Sequence, residues 1–292
     1  MIEALLGDLS AGEFLDRFYT RLPHSRPGGA IGFASFPGWP ALEAILGREG
    51  VDAFLAGDGR IWEGGRRPSA AEAREEHRRG RTLVVRNAER HDPELARIAA
   101  GFEADFAAPA NIHVYATPAG RTGFGWHYDP EDVFVVQTHG SKEYRLRKNT
   151  VNPWPLLEQM PRDLGIEREG TPTLSCLLRP GDWLYLPAGW WHVALGAGGD
   201  SVTLAIGLMT PAAIGLLDFA RKELLSALPW RQRLPVMGAA NPRSGPEIAA
   251  LHRSILSELR KDLDRVLADP ALIDRYVSAR RRSNGQTGAG SG

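Results

Sequence analysis

Between Asn111 and Leu208 the chain is a succession of short strand-like runs separated by turns, and this pattern restricts the fold more than any other feature. The eight runs cover residues 111–117, 126–128, 133–138, 143–148, 173–178, 182–186, 191–195 and 201–208. Short strands at regular spacing are typical of a double-sheet jelly roll. We therefore predict a mainly β protein with flanking helices, built on a double-stranded β-helix and followed by a C-terminal helical region.

The second run contains a histidine and an aspartate two residues apart, His127 and Asp129. Residues two apart in a strand point to the same face, so this imidazole and this carboxylate can reach one point. Such a pair also arises by chance, and alone it more often marks an ordinary hydrogen-bonded histidine. Its significance depends on whether a third ligand follows.

The candidate for that third ligand is His192, at the end of the segment RPGDWLYLPAGWWHVAL. In this segment Gly181 is followed at fixed intervals by Pro187-Ala188-Gly189 and then by the histidine, a spacing that resembles the second motif of the cupin barrels. Two imidazoles and one carboxylate form the facial donor set of non-haem Fe(II) oxygenases, which leaves the opposite positions of the ion open. We therefore predict His127, Asp129 and His192 as metal ligands and as the catalytic centre.

The segment VYATPAGRTGFGWHYDPEDVFVVQTHGSKEYRL carries a further resemblance, to the JmjC-type 2-oxoglutarate oxygenases and within them the ribosomal-oxygenase (cupin-4) group. The likeness lies in a strand, a Thr-Pro-x-Gly loop, the His-x-Asp pair and a following Asp-x-Phe-x-x-Gln strand. It implies Fe(II) and 2-oxoglutarate as cofactors and a dioxygenase that hydroxylates a side chain of a protein or peptide. The products would be succinate and CO2.

The same resemblance assigns three cosubstrate-binding residues. A basic residue on the strand after His-x-Asp binds the distal carboxylate of 2-oxoglutarate, and the matching position is Lys142. Tyr115 matches a tyrosine that also contacts the cosubstrate. His113 stands where relatives usually carry asparagine, so either a cosubstrate contact or a barrel residue is open for it. Trp126, Trp190 and Trp191 flank the ligands and either wall the pocket or pack in the core.

The domain organisation follows from helical patterns on either side of the strands. We predict an oxygenase domain with an N-terminal helical scaffold over residues 1–209, a helical region over 210–282 and a flexible tail over 283–292. Apolar residues recur at three- and four-residue steps after Pro246, so these helices either pack on the barrel or pair with a second copy of the chain. A homodimer through them is an expectation. The proline-containing stretch 149–170 is expected to help cover the site.

Charge and cysteine content give expectations for the binding partners and the cellular location. Lys+Arg and Asp+Glu balance at 35 each, which gives no electrostatic reason to expect nucleic acid or a membrane surface. Cys176 is the single cysteine and cannot form an intramolecular disulfide, so a cytoplasmic location is expected. His77 and His91 lie in polar surroundings and are expected to be solvated.

Two other functions stay open from the sequence. The resembled ribosomal oxygenases generally continue into a winged-helix domain, whereas only some 60 residues follow Arg233 and read as helices. The substrate is therefore a protein or peptide or, alternatively, a free amino acid or other small metabolite. A non-catalytic cupin-type binding module is the third reading, and the presence of Lys142 beside the triad argues against it. Demethylation by the same chemistry is a further possibility.

Overall fold

A computed structural model describes residues 1–33, 35–57, 59–160 and 172–287. The chain divides into two compact units, Met1–Thr210 and Pro211–Gly292. The predicted jelly-roll class with flanking helices holds for the first unit. Its helices and strands bring residues from distant parts of the sequence to one cavity.

Five helices of the first unit precede or interrupt its strands. They are α1 Ile2–Leu6, α2 Ala11–Arg17, α3 Trp39–Leu46, α4 Ala70–Arg78 and α5 Pro93–Phe106. Their starts follow local rules: Ser69 and Glu72 form a capping box at α4, and the Asp92 carboxylate accepts hydrogen bonds from the first turn of α5. These caps satisfy backbone N–H groups that have no partner within the helix.

Nine strands form one antiparallel sheet. They are β1 His24–Arg26, β2 Asp52–Gly57, β3 Arg60–Ile61, β4 Thr82–Arg86, β5 Ala110–Thr117, β6 Asp132–Arg147, β7 Leu174–Leu178, β8 Trp183–Leu186 and β9 Trp191–Leu208. The order is β1-β8-β6-β9-β5-β4-β2-β3, with β7 paired to β6. The first half of β6 pairs with β8 and its second half with β7, while β9 follows both halves. The two long strands thus belong to both halves of the jelly roll.

A break in register between β6 and β9 decides which side chains face the interior. The pairing shifts between Gln137 and Lys142, so odd-numbered residues face the cavity before the irregularity and even-numbered residues after it. At its centre Gly140 has φ +60°, and a Cβ there would lie 2.5 Å from the Asp200 carbonyl oxygen. An irregularity of this kind re-aims side chains because it slips the two-residue period by one. It is the reason why Lys142 points inward.

The main core lies between the N-terminal helices and the sheet. Phe14 of α2 and Phe102 of α5 are fully buried and contact Phe134 of β6, with ring centroids 5.9 and 5.1 Å apart. Trp183 and Tyr185 of β8 complete this aromatic layer. The helices therefore cover the outside of the sheet and leave its inner face free to line a cavity.

Two local expectations are wrong. The run 126–128 makes only an isolated bridge through His127. His77 is 3% exposed rather than solvated, because it packs edge-on against Trp39 at 4.8 Å.

The second unit consists of three helices, α6 Ile214–Leu224, α7 Gly245–Leu267 and α8 Pro270–Thr287. Helix α8 extends to Thr287, so the first part of the tail expected from residue 283 is helical, and residues 288–292 lie outside the described residues. Within the described part of the chain, no helix is both long and apolar enough to span a bilayer.

Candidate metal centre

The two predicted histidine ligands come from different segments that meet through their backbones. His127 N donates to the His192 carbonyl at 3.1 Å, and His192 N donates back to the His127 carbonyl at 2.8 Å. This reciprocal pair places the side chains together, with imidazole centroids 4.2 Å apart. A separation of 65 residues in sequence is thus closed by one two-residue bridge at the start of β9.

Asp129 is held beside the two histidines by the turn that precedes His192. Its carbonyl accepts a hydrogen bond from Gly189 N at 2.9 Å. Its Oδ2 lies 3.9 Å from His127 Nε2 and 3.5 Å from His192 Nε2. The three ligand atoms all lie within 4.8 Å of one another, a spacing that allows one ion to contact all three.

The free ring nitrogens of both histidines are directed towards that point by matching backbone contacts. His127 Nδ1 bonds the Gly125 carbonyl at 2.8 Å, and His192 Nδ1 bonds the Trp190 carbonyl at 3.0 Å. A carbonyl only accepts, so each Nδ1 carries the proton and each Nε2 keeps its lone pair for a metal. Burial and the neighbouring His127 lower the pKa of His192 to about 4, which keeps the ring neutral and able to act as a ligand.

The triad lies on a cavity of about 320 Å³. Strands β4, β5, β6 and β9 supply most of its wall, Phe124 comes from a loop, and Leu157 comes from a short 3-10 helix. Its lining includes Arg86, His113, Tyr115, Glu131, Lys142 and Gly207. Leu157 belongs to the stretch 149–170, whose residues beyond 160 lie outside the described residues.

Lys142 lies at one end of the cavity in a chain of buried hydrogen bonds. Its Nζ donates to Thr203 Oγ1 at 3.4 Å, Thr203 donates to Gln137 Oε1 at 3.0 Å, and Gln137 Nε2 donates to Ser201 Oγ at 2.8 Å. The lysine is 4% exposed, and desolvation by burial lowers its pKa to about 7. No carboxylate pairs with it among the described residues, so an incoming anion would meet an uncompensated ammonium.

The two other predicted cosubstrate residues also line the cavity. The ring of Tyr115 lies 5.6 Å from Lys142 Nζ, and burial raises the pKa of its phenol, so the hydroxyl stays a donor. His113 Nδ1 accepts a hydrogen bond from Asn87 N at 3.2 Å, and burial lowers its pKa. The ring is therefore neutral, and its Nε2–H is a donor.

None of the three flanking tryptophans lines the cavity: Trp190 and Trp191 pack in the core, and Trp126 is half-buried outside it. Trp191 is 1% exposed and meets Tyr128 edge-on at 4.7 Å, and Trp190 belongs to a second apolar cluster. The sequence reading missed Gln137 and Thr203, although the Asp-x-Phe-x-x-Gln pattern contains the first of them. It also missed Asn111, for which the alternation with His113 and Tyr115 along β5 gave a signal, and Glu131, for which the sequence gave none.

The fit of these residues to a metal is decided by their donor atoms. Two neutral imidazole nitrogens and one carboxylate oxygen suit a divalent first-row ion, and the absence of a thiolate from the set suits iron better than a thiophilic metal. A jelly roll with such a triad on an interior cavity is the arrangement of the facial-triad metal proteins, which this site resembles.

The family follows from comparison with known proteins. Residues 85–216 match the model of the JmjC domain. Ribosomal oxygenase 2 of Mus musculus is 40% identical over 113 residues, which cover 39% of this chain and 23% of that protein. The "bifunctional lysine-specific demethylase and histidyl-hydroxylase NO66" of Drosophila persimilis is 30% identical over 123 residues, 41% of this chain and 17% of that protein. The chain thus spans less than a quarter of either relative.

A solved structure extends the likeness of fold to nearly the whole chain. The ribosomal oxygenase YcfD of Escherichia coli, in complex with cobalt and 2-oxoglutarate, superposes with a TM-score of 0.56 at 18% identity. The match covers 94% of this chain and 71% of that one. These comparisons confirm the predicted jelly roll, and they confirm the predicted JmjC-type resemblance over residues 85–216.

Proposed function

We propose that the protein is an Fe(II)- and 2-oxoglutarate-dependent dioxygenase that hydroxylates a side chain of a protein or peptide. The observation that carries this proposal is the convergence of His127 Nε2, Asp129 Oδ2 and His192 Nε2 on a cavity that also contains Lys142. The relatives support it, since their names describe ribosomal oxygenases and a histidyl hydroxylase.

The roles of the residues follow from their donors and charges. His127, Asp129 and His192 would hold iron, and Lys142 would bind the distal carboxylate of 2-oxoglutarate with Tyr115 and His113 as further hydrogen-bond donors. With the iron bound, 2-oxoglutarate, dioxygen and a C–H bond give succinate, CO2 and an alcohol. The chain's own part is to fix the cosubstrate, exclude water with the apolar wall of Val133, Val135 and Leu186, and orient the carbon to be oxidised.

The test incubates the full-length protein with Fe(II), ascorbate and 2-oxoglutarate and measures the succinate that is formed. The assay is run with and without a cell extract as the source of substrate. Intact-mass analysis of small proteins in the extract detects an added oxygen atom. We expect His127→Ala to lose both iron binding and turnover, and His91→Ala, a histidine away from the cavity, to keep them. Iron binding without any 2-oxoglutarate binding would instead indicate a binding module.

The other readings are separated in the same assay. Turnover stimulated by the small-molecule fraction of the extract and not by its proteins would indicate a free amino acid or other metabolite as substrate. Release of formaldehyde would indicate demethylation, because hydroxylation of an N-methyl carbon gives a hydroxymethyl amine that breaks down to formaldehyde and the free amine. A cytoplasmic location stays a prediction from the single cysteine.

We also propose that the second unit associates with a second copy of the chain. Its helices and connections expose many large apolar side chains, among them Leu217, Leu225, Leu228 and Met237, which are 46%, 53%, 73% and 73% exposed. A cluster of this kind within 82 residues exceeds the scattered apolar exposure of ordinary surfaces. Light scattering on the full chain should give twice the monomer mass, and a monomer at every concentration would contradict the proposal.

A further inference from the structure

The cavity has a second polar end, at the opposite side from Lys142. Tyr115 pairs with Thr203 beside the lysine, and four residues further along the same two strands Asn111 pairs with Gly207. Four residues of strand span about 13 Å. Glu131 lies at this second end, where it and Gly207 both line the cavity.

Asn111 determines how the carboxyl group of Glu131 is presented. Asn111 Nδ2 donates to Glu131 Oε1 at 2.9 Å, so one carboxyl oxygen is occupied and the group is held in place. Since the carboxylate accepts, the amide nitrogen must face it, and Asn111 Oδ1 is directed away from it. This carbonyl oxygen is buried and has no hydrogen-bond partner among the described residues.

Because Gly207 has no side chain, Glu131 Oε2 and Asn111 Oδ1 can both lie close to its Cα. A Cβ at this position would lie 2.1 Å from Glu131 Oε2 and 2.8 Å from Asn111 Oδ1. Both oxygens therefore converge on the surface of one glycine, and any larger residue would occupy the place of the carboxylate. A buried acceptor without a donor is costly, so a site with two acceptors favours a ligand that brings N–H groups.

The charges around this end favour a cation. Glu131 supplies a carboxyl group here, and Arg86, which also lines the cavity, is already paired with Asp52 at 2.8 Å and lies over the ring of Phe54. His113, between the two ends, is neutral. The cavity is thus polarised, with an ammonium at the end proposed for the cosubstrate and unshared acceptors at the other.

We propose that Glu131, positioned by Asn111 and given room by Gly207, binds a cationic N–H group at the end of the substrate side chain, such as a guanidinium or an ammonium. This inference rests on the proposed function and adds the residue that selects the substrate. An aspartate or glutamate side chain is repelled by the carboxylate of Glu131, and an aliphatic one leaves both acceptors unpaired.

The test uses the full-length protein loaded with Mn(II), and two probes of one shape, propylguanidinium and the neutral propylurea. Bound Mn(II) broadens the methyl proton signal of a probe that enters the cavity, so titration gives both affinity and proximity to the metal. We expect propylguanidinium to bind about 10-fold more tightly than propylurea, the effect of one charge-assisted hydrogen bond. Glu131→Gln should remove that difference.

Two further variants make the result specific to the site. Gly207→Ala keeps every charge but places a methyl group where Oε2 lies, and it should weaken propylguanidinium binding as Glu131→Gln does. Glu143→Gln removes a carboxylate from the outer face of β6, where it pairs with Arg145, and should leave the affinity unchanged.

The outcomes separate this inference from the proposed function. Equal affinity of the wild type and Glu131→Gln for propylguanidinium overturns the inference, as does equal affinity of the wild type for the two probes. Failure of Mn(II) to bind counts against the proposed metal centre alone, because saturation transfer from protein to probe still measures the pairing with Glu131.

Discussion

The low pKa of Lys142 predicts that 2-oxoglutarate binds together with a proton. Burial lowers that pKa to about 7 in the free protein, and the lysine hydrogen-bonds only an uncharged hydroxyl, that of Thr203. A carboxylate brought next to the amine favours its charged form and raises the pKa again. The cosubstrate therefore binds well only to the protonated lysine, and its affinity should fall as the pH rises above 7.

The magnitude follows from the fraction of protonated lysine. This fraction is about one half at pH 7 and about 1% at pH 9, so the dissociation constant of 2-oxoglutarate should rise about 50-fold over this range. Binding should take up about 0.5 proton at pH 7 and about 0.9 at pH 8. A surface lysine with an ordinary pKa would produce neither effect.

Anaerobic calorimetry on the Mn(II)-loaded protein measures both quantities. Titrations at one pH in buffers of different ionisation enthalpy give the proton uptake, and a series from pH 6.5 to 9 gives the affinity. Lys142→Met should bind 2-oxoglutarate weakly at every pH and without proton uptake. An affinity that is constant across the series, with no proton taken up, would refute the reasoning.

Three further predictions concern the residues around this lysine and the core. Lys142→Met should raise the free energy of unfolding of the free protein, most strongly below pH 7. Below pH 7 the folded wild type must bury a charged amine, and this burial lowers its stability. As the pH rises from 7 to 10.5 the buried amine is neutral, and the loss of stability in the wild type becomes smaller. Urea unfolding at pH 6 and pH 9 measures the difference, and equal gains at both would contradict it. Gln137→Met should raise the KM for 2-oxoglutarate about 10-fold with little change in kcat, because the Thr203 hydroxyl loses its acceptor and no longer points its lone pair at Lys142. Thr203→Val should raise the KM by a similar factor. If the two effects were fully additive in the double variant, the residues would not act through one chain of hydrogen bonds. Asp132→Ala should lower the free energy of unfolding by about 2–4 kcal/mol, since its buried carboxyl group accepts from Tyr185 at 2.5 Å and Thr210 at 2.6 Å and both hydroxyls would lose the carboxylate that accepts their O–H. Asp132→Asn should cost less because burial already raises the pKa of this carboxyl, and equal losses in the two variants would contradict this account.

The sequence predicted the parts of the site that depend on spacing within one segment. The two-residue period brings Asp129 beside His127, and the Pro187-Ala188-Gly189 turn directs the chain into His192. Lys142 was assigned by resemblance, and the structure adds the physical reason, since the irregularity at Gly140 turns the even-numbered side chains of β6 inward. Strand alternation continued from Val133 would have pointed this lysine outward.

The parts that the sequence did not predict depend on register between distant strands. Asn111 and Gly207 are adjacent only because β5 pairs with β9 across about 90 residues, and Glu131 joins them from a third segment. The merging of four predicted runs into β6 and β9 has the same origin, since glycines at the irregularities resemble loop signals in sequence. Patterns within one segment carry no information on which residues of another segment lie opposite.

The contacts that orient the metal ligands illustrate this limit, because they are made by backbone atoms. Each histidine donates its Nδ1 proton to the carbonyl of the residue two positions earlier, Gly125 for His127 and Trp190 for His192. A carbonyl is present whatever side chain the residue carries, so the tautomer of each ligand depends on the path of the backbone and not on the identity of these neighbours. The backbone path is in turn held by the reciprocal hydrogen bonds between His127 and His192. It follows that the two ligands orient each other, and that substitution of Trp190 should disturb the apolar cluster around it before it disturbs the direction of the imidazole.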